Sequence, residues 1–161
     1  ADTAASDEEA VLENKIAEYD AFLTKQAPAF TVEELEEAMQ KVMDQYAGGI
    51  GTHYQFNEKQ LAMAEEKIKK LQILAKGLAA ADMHELMFIY ELKERLTVCL
   101  TVIAHLRARK ETRWHSFAEN LDYPEKSDAW LCYVNSKKNG DQITMIRRDL
   151  VKGGETYEHR D

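Results

Sequence analysis

Cysteine, proline and glycine are all scarce in this 161-residue chain, which has two, two and seven of them. Two cysteines cannot form a disulfide framework, and so little Gly and Pro excludes a collagen-like or low-complexity chain. Long hydrophobic runs are missing as well. The most apolar stretch, Leu96 to Leu106 (LTVCLTVIAHL), is well short of the roughly 20 residues that span a bilayer, and it contains His105. It reads as a buried core helix. The start, ADTAASDEEA, lacks the basic end and apolar centre of a secretory signal and opens on Ala rather than Met. A piece of a longer polypeptide is therefore expected.

Basic charge is also short. A net charge of −8 disfavours nucleic acid as a partner, because phosphate neutralisation needs clustered Lys and Arg. The halves differ: residues 1–66 hold 15 acids and 4 bases, residues 67–161 hold 14 acids and 17 bases. The acidic helices read as solvated faces or as partners of the basic half. What is abundant is apolar residue (45%) and charge (31%). That suits one helix-rich domain with a radius of gyration of about 15 Å, burying roughly two thirds of its unfolded surface, too small for a two-domain enzyme.

Capping signals divide the chain. Ser6 to Glu9 (SDEE) opens a first helix with Leu12, Ile16, Tyr19 and Leu23 on one face, ending near Gln26 because Pro28 disfavours helical geometry at Ala27. Thr31 to Glu34 (TVEE) opens a second, with the stripe Leu35, Met39, Val42 and Tyr46, stopped by Gly48-Gly49. Asn57 with Gln60 opens a third, carrying Leu61, Ala64, Ile68, Leu71 and Ala75 to about Gly77. From Asp82 to about Lys110 neither Gly nor Pro occurs, so one long helix is expected, its apolar centre wrapped by the others. After an irregular stretch around Pro124, Leu131 to Ser136 and Gln142 to Arg147 alternate as strands about Asn139-Gly140, a type I′ turn signal. That turn pairs Val134 with Met145, Tyr133 with Ile146 and Lys138 with Asp141. The fold class is mainly α: a small antiparallel helical bundle, an irregular segment and a C-terminal β-hairpin. Residues 1–30 form an N-terminal helix and linker, 31–118 the bundle core and 119–161 the irregular segment with the hairpin, all in one domain.

Little catalytic chemistry is legible. Gly48-Gly49-Ile50-Gly51 follows a helix rather than a strand, so it reads as a helix stop with a loop rather than a dinucleotide turn; a ligand contact is the lesser alternative. No His has Glu three residues before it, no CxxC holds a metal or cluster, and no GxSxG supplies a nucleophile. Cys99 and Cys132 read as small buried apolar residues. His105 reads as a core histidine, His84 as part of a helix first turn and His159 as part of a tail, which leaves His53 and His115, beside Tyr54 and Trp114, as the better candidates for a contact. Arg107, Arg109, Lys110 and Arg113 against Glu111 give a local +3 that complements a helix C-terminus. The dipole accounts for the sign, but not for Trp114, His115 and Phe117 immediately after. A docking surface is the reading that covers both.

Arg109-Lys110-Glu111-Thr112-Arg113, followed by Asp122-Tyr123-Pro124-Glu125 and Trp130, resembles the C-terminal region of the fumarate reductase and succinate dehydrogenase flavoprotein family. ETRW at 111–114, WLCYVNS at 130–136, YAGGIGTHY and DMHEL are most similar to its adenylylsulfate reductase α-subunit branch, and Trp114 stands where other branches usually have Gly. The resemblance covers roughly residues 40–140. It implies an excised helical domain that neither binds a cofactor or metal nor catalyses by itself. The parent would carry FAD in a flavin-binding domain of the same chain, meet a subunit with iron–sulfur clusters, and interconvert adenylylsulfate with sulfite and AMP in cytoplasmic sulfur metabolism. A C4-dicarboxylate relative and a free-standing helical interaction module are the alternatives. Arg109, Glu111, Arg113, Trp114 and His115 are the candidate interdomain or partner-docking residues.

Overall fold

A computed structural model describes residues 2–113, 118–140 and 142–151. Four helices come in chain order: α1 (Asp2–Leu23), α2 (Val32–Tyr46), α3 (Glu58–Ala75) and α4 (Met83–Ala108). Strand β1 (Gln55–Phe56) precedes α3; β2 (Glu119–Asn120), β3 (Cys132–Asn139) and β4 (Gln142–Asp149) follow α4. The protein is thus mainly α with a C-terminal antiparallel strand pair, as the periodicity predicts. Among the described residues no helix is long and apolar enough to cross a membrane.

Two compact units are interleaved along the chain: Ala1–Lys41 with Glu66–Val98, and Val42–Glu65 with Cys99–Asp161. The first has an apolar interior of Phe22, Leu35, Met39, Ile68, Leu71, Leu86, Ile89, Leu92 and Leu96, all buried. Each such Leu or Ile contributes about 1.5–3 kcal/mol relative to exposure. The predicted cap of α2 forms in full: the Thr31 N–H donates to Glu34 Oε2 at 2.9 Å, and the Glu34 N–H to Thr31 Oγ1 at 3.2 Å. At the head of α4, Asp82 Oδ1 accepts the N–H groups of His84 and Glu85, each at 2.9 Å. Tyr90 of α4 meets Tyr19 and Phe22 of α1 edge to face, at centroid distances of 5.4 and 6.2 Å.

Three expectations fail in this unit. Helix α1 begins at Asp2, before Ser6, and ends at Leu23, before Gln26; Thr24 closes it by donating from both N–H and Oγ1 to the Asp20 carbonyl. Leu12 and Ile16 are exposed, and Phe22 is the buried side chain instead, because only the last turns of α1 meet Tyr90. Helix α4 is not wrapped on all sides: Leu86, Ile89, Leu92 and Leu96 are buried on one face while Met87, Phe88 and Val98 stay open. Ala27 does leave helical geometry, but into the left-handed region at φ 50°.

The second unit is built differently. Asn57 and Gln60 exchange the predicted cap bonds at 2.9 and 3.0 Å, and Leu61 and Ala64 start the stripe of α3 that Ile68, Leu71 and Ala75 continue in the first unit, all five buried. Gly48 ends α2 at φ 78°, and a Cβ there would stand 2.7 Å from that of Ala118, so this glycine is needed for both turn and contact. Sequence reasoning missed the parallel pairing of β1 with β2, in which Gln55 lies opposite Glu119 and Phe56 opposite Asn120. The hairpin forms, with longer strands and a corrected register: Val134 lies opposite Arg147, Tyr133 opposite Arg148 and Asn139 opposite Gln142. Gly140, at φ 59°, takes the first loop position in place of Asn139. The shift of two residues leaves every side chain on its predicted face.

Candidate functional site

Past the last turn of α4 the chain carries Arg109, Glu111 and Arg113, three of the predicted docking residues. The structure brings them together. The Glu111 side chain is fully buried and its carboxylate accepts four bonds: from Arg109 Nη1 at 2.6 Å, Arg113 Nε at 3.0 Å, Arg113 Nη2 at 2.9 Å and the Ser127 N–H at 3.0 Å. Burial alone would push the carboxyl pKa up. The bonds from Arg113, Ser127 and Arg109 outweigh it and hold the group below the ordinary carboxylate range. An acid so held stays ionised near neutrality and has no proton to give.

Both arginines then reach past the acid to backbone carbonyls. Arg109 donates to the carbonyls of Trp130 at 2.9 Å and Cys132 at 3.0 Å, and Arg113 to that of Ser127 at 3.2 Å. Arg109 and Arg147 lie 5.9 and 4.4 Å from the Trp130 ring centroid, and Arg147 also donates to the Ala129 carbonyl. Thr112, buried next to Glu111, accepts the Asn120 N–H at 2.9 Å and donates to the Tyr123 carbonyl at 3.0 Å. A buried carboxylate, two guanidinium forks and one hydroxyl therefore fix the path of residues 119–132 and the root of the hairpin. Ser127, Trp130 and Asn120 are structural parts of this hub that were not among the docking candidates; only Trp130, already one of the residues that carry the resemblance, has a residue-level signal. Trp114 and His115, the other two candidates, lie outside the described residues.

Beside the hub is a groove of about 520 Å³ floored by Phe56 and Leu61 and walled by Arg107, Lys110, Asp122 and Tyr123. Arg107, in the last turn of α4, pairs with Glu58 at 2.8 Å and Glu65 at 2.6 Å, so the helix-end cation is matched by acids as well as by the dipole. Asp122 Oδ2 accepts the Glu58 N–H at 2.7 Å.

The other candidates are dispersed. His53 is exposed and caps a short 3-10 turn at φ 54°, while His84 packs against Phe88 at 4.8 Å. His105 is half-buried; His115 and His159 are outside the described residues. Cys99 and Cys132 are only half-buried, a correction to their reading as interior residues, because α4 and β3 each keep an open side. Burial still pushes the Cys99 thiol up, away from nucleophilic range. Among the described residues no group of three or more His, Cys, Asp or Glu could hold a metal ion.

Residues 36–155 match the family model described as fumarate reductase flavoprotein C-term, and the chain belongs to that family. A curated relative, the adenylylsulfate reductase subunit alpha of Megalodesulfovibrio gigas, is 34% identical over 98 residues, which are 60% of this chain and 15% of the relative. Adenylylsulfate reductase from Archaeoglobus fulgidus superposes with a TM-score of 0.82 at 32% identity, over 93% of this chain and 26% of that one. A solved adenosine-5-phosphosulfate reductase in complex with sulfite matches equally well. Quinol fumarate reductase of E. coli, the FrdA chain, gives 0.74 at 18% identity over 98% of this chain and 27% of its own, a likeness of fold. The chain thus spans about a quarter of the solved reductases that it matches.

Proposed function

We propose that this chain is the C-terminal helical domain of an FAD-dependent adenylylsulfate reductase-like subunit, serving packing and docking rather than chemistry. The observation that carries the reading is the identity of about one third to adenylylsulfate reductases, in sequence and in solved structure alike. The quinol fumarate reductase chain, at 18% identity, supports the fold alone, so a dicarboxylate substrate has weaker support. The residues agree with a non-catalytic role. Among the described residues the one fully buried acid is consumed by four internal bonds, and redox chemistry would depend on a cofactor held elsewhere in the parent.

In this reading FAD and the adenylylsulfate site lie in a flavin-binding domain of the same parent chain, and electrons come from the iron–sulfur clusters of a partner subunit in the cytoplasm. Arg109, Glu111 and Arg113 shape the surface that Trp114 and His115 complete. Capture of the flavin-binding remainder of the parent by this chain tests the docking. The wild type retains it, and Trp114→Ala/His115→Ala weakens retention with an unchanged circular dichroism spectrum. Equal capture by both sinks the docking role of these residues. The parent assayed with both acceptors tests the substrate: reduction of adenylylsulfate supports the reading, and reduction of fumarate alone overturns it.

A further inference from the structure

We infer that the chain self-associates, the acidic helix α1 of one copy docking on the basic outer face of the β3–β4 hairpin of a second copy. Each surface is incomplete alone, and each has what the other lacks. Helix α1 carries seven acids and one base. Its Leu12 and Ile16, 61% and 49% exposed, form one row, with the exposed Glu8, Glu9 and Glu13 around it. Helical stability in proteins comes mostly from packing of an apolar face, and only the last turns of α1 have it, through Tyr19 and Phe22 on Tyr90.

The hairpin, residues 131–151, carries four bases and two acids. Its register places Tyr133 opposite Arg148, Asn135 opposite Ile146 and Lys137 opposite Thr144, so these six share one face. Tyr133 and Ile146 are 49% and 40% exposed at its centre, with Lys137 and Arg148 beside them. On the other face Val134 and Met145 are half-buried, so the outer face is the uncovered one. A two-stranded hairpin is itself marginal without a layer against it. Tyr133 and Ile146 are diagonal neighbours, about 7–8 Å apart across a strand pair. Leu12 and Ile16 are one helical turn apart, about 6 Å. The two apolar pairs can therefore seat side by side while Glu9 and Glu13 approach Arg148 and Lys137. Charge complementarity of this kind fixes orientation and partner choice.

Sedimentation velocity on the full chain tests this directly. The wild type self-associates, and more weakly as salt is raised. Glu9→Lys/Glu13→Lys sets lysines against Arg148 and Lys137, Lys137→Glu/Arg148→Glu sets glutamates against Glu13 and Glu9, and each variant alone associates at least about tenfold more weakly. Mixing the two variants restores association, because every contact then joins opposite charges again. A monomeric wild type, unaltered association in either variant, or a mixture no tighter than its components overturns the proposal. Circular dichroism on each variant confirms folding. None of these outcomes depends on flavin-domain capture, so this inference and the proposed function can fail separately.

Discussion

Glu18 in the first unit and Glu111 in the second are each a carboxylate set between two cations, and the two arrangements have different consequences. Glu18 of α1 pairs with Lys15 at 2.8 Å and with Lys93 of α4, while 35% of its side chain stays in water. The two lysines also lie 4.6 and 4.5 Å from the Tyr90 ring centroid. Every group there could hydrate if the cluster opened, so it adds little to a unit already held by an apolar interior. Glu111 has no water to return to. Its arginines are forked, each continues to a main-chain carbonyl, and the second unit has fewer buried apolar side chains to substitute for them. A buried polar cluster of this kind is weak as a source of net stability but strong as a determinant of one chain path.

The contrast can be broken most sharply at Glu111. Glu111→Ala removes the counter-ion of two part-buried guanidinium groups and should cost about 3–5 kcal/mol, read as a fall in the urea midpoint, with faster amide exchange concentrated in residues 119–149. Uniform exchange across the chain would show that the hub does not organise that segment. Leu96→Ala should cost about 2–5 kcal/mol through the cavity it leaves, with the exchange loosened among α1, α3 and α4 instead. Gly48→Ala should cost about 1–3 kcal/mol, from backbone strain at positive φ together with the Ala118 contact; an unchanged melting temperature would remove that glycine from the argument. Smallest is Glu18→Gln, expected to shift stability by less than about 1 kcal/mol at neutral pH.

Acid titration sharpens the smallest case. The bonds from Lys15 and Lys93 lower the Glu18 pKa from 4.5 to about 2. A depressed carboxylate contributes stability that is fully present above its unfolded value and is lost as pH falls through the folded one. The wild type should therefore lose more stability than Glu18→Gln between about pH 4.5 and 2, and parallel unfolding curves in that window would dismiss the cluster as a stabilising element.

Legibility in the sequence followed the range of the interactions. The caps at Thr31 and Asn57 and the stripe from Leu61 to Ala75 were readable because partners three or four residues apart leave a periodic trace. The strand pair Gln55–Phe56 with Glu119–Asn120 was not, since two residues carry no alternation. The hairpin register escaped because alternation is identical after a shift of two, and only the conformation of Gly140 decides between the two pairings. At the candidate site, Arg109, Glu111 and Arg113 stood out by charge. Their partners at Ser127, Trp130 and Cys132 act through main-chain groups, which any residue type would supply.

Interleaving of the two compact units sets an order of events during synthesis. The first unit needs residues up to Val98 before its two segments can meet, and the second needs Glu119 and Asn120 to reach back to Gln55 and Phe56. Neither can mature early on an emerging chain, and contacts so distant in sequence form slowly. A single terminal truncation cannot isolate either unit cleanly, because residues 42–65 stay with the first and residues 66–98 with the second. Nascent chains of this protein should stay unprotected from proteases until most of α4 has left the ribosome, and then gain resistance in two steps.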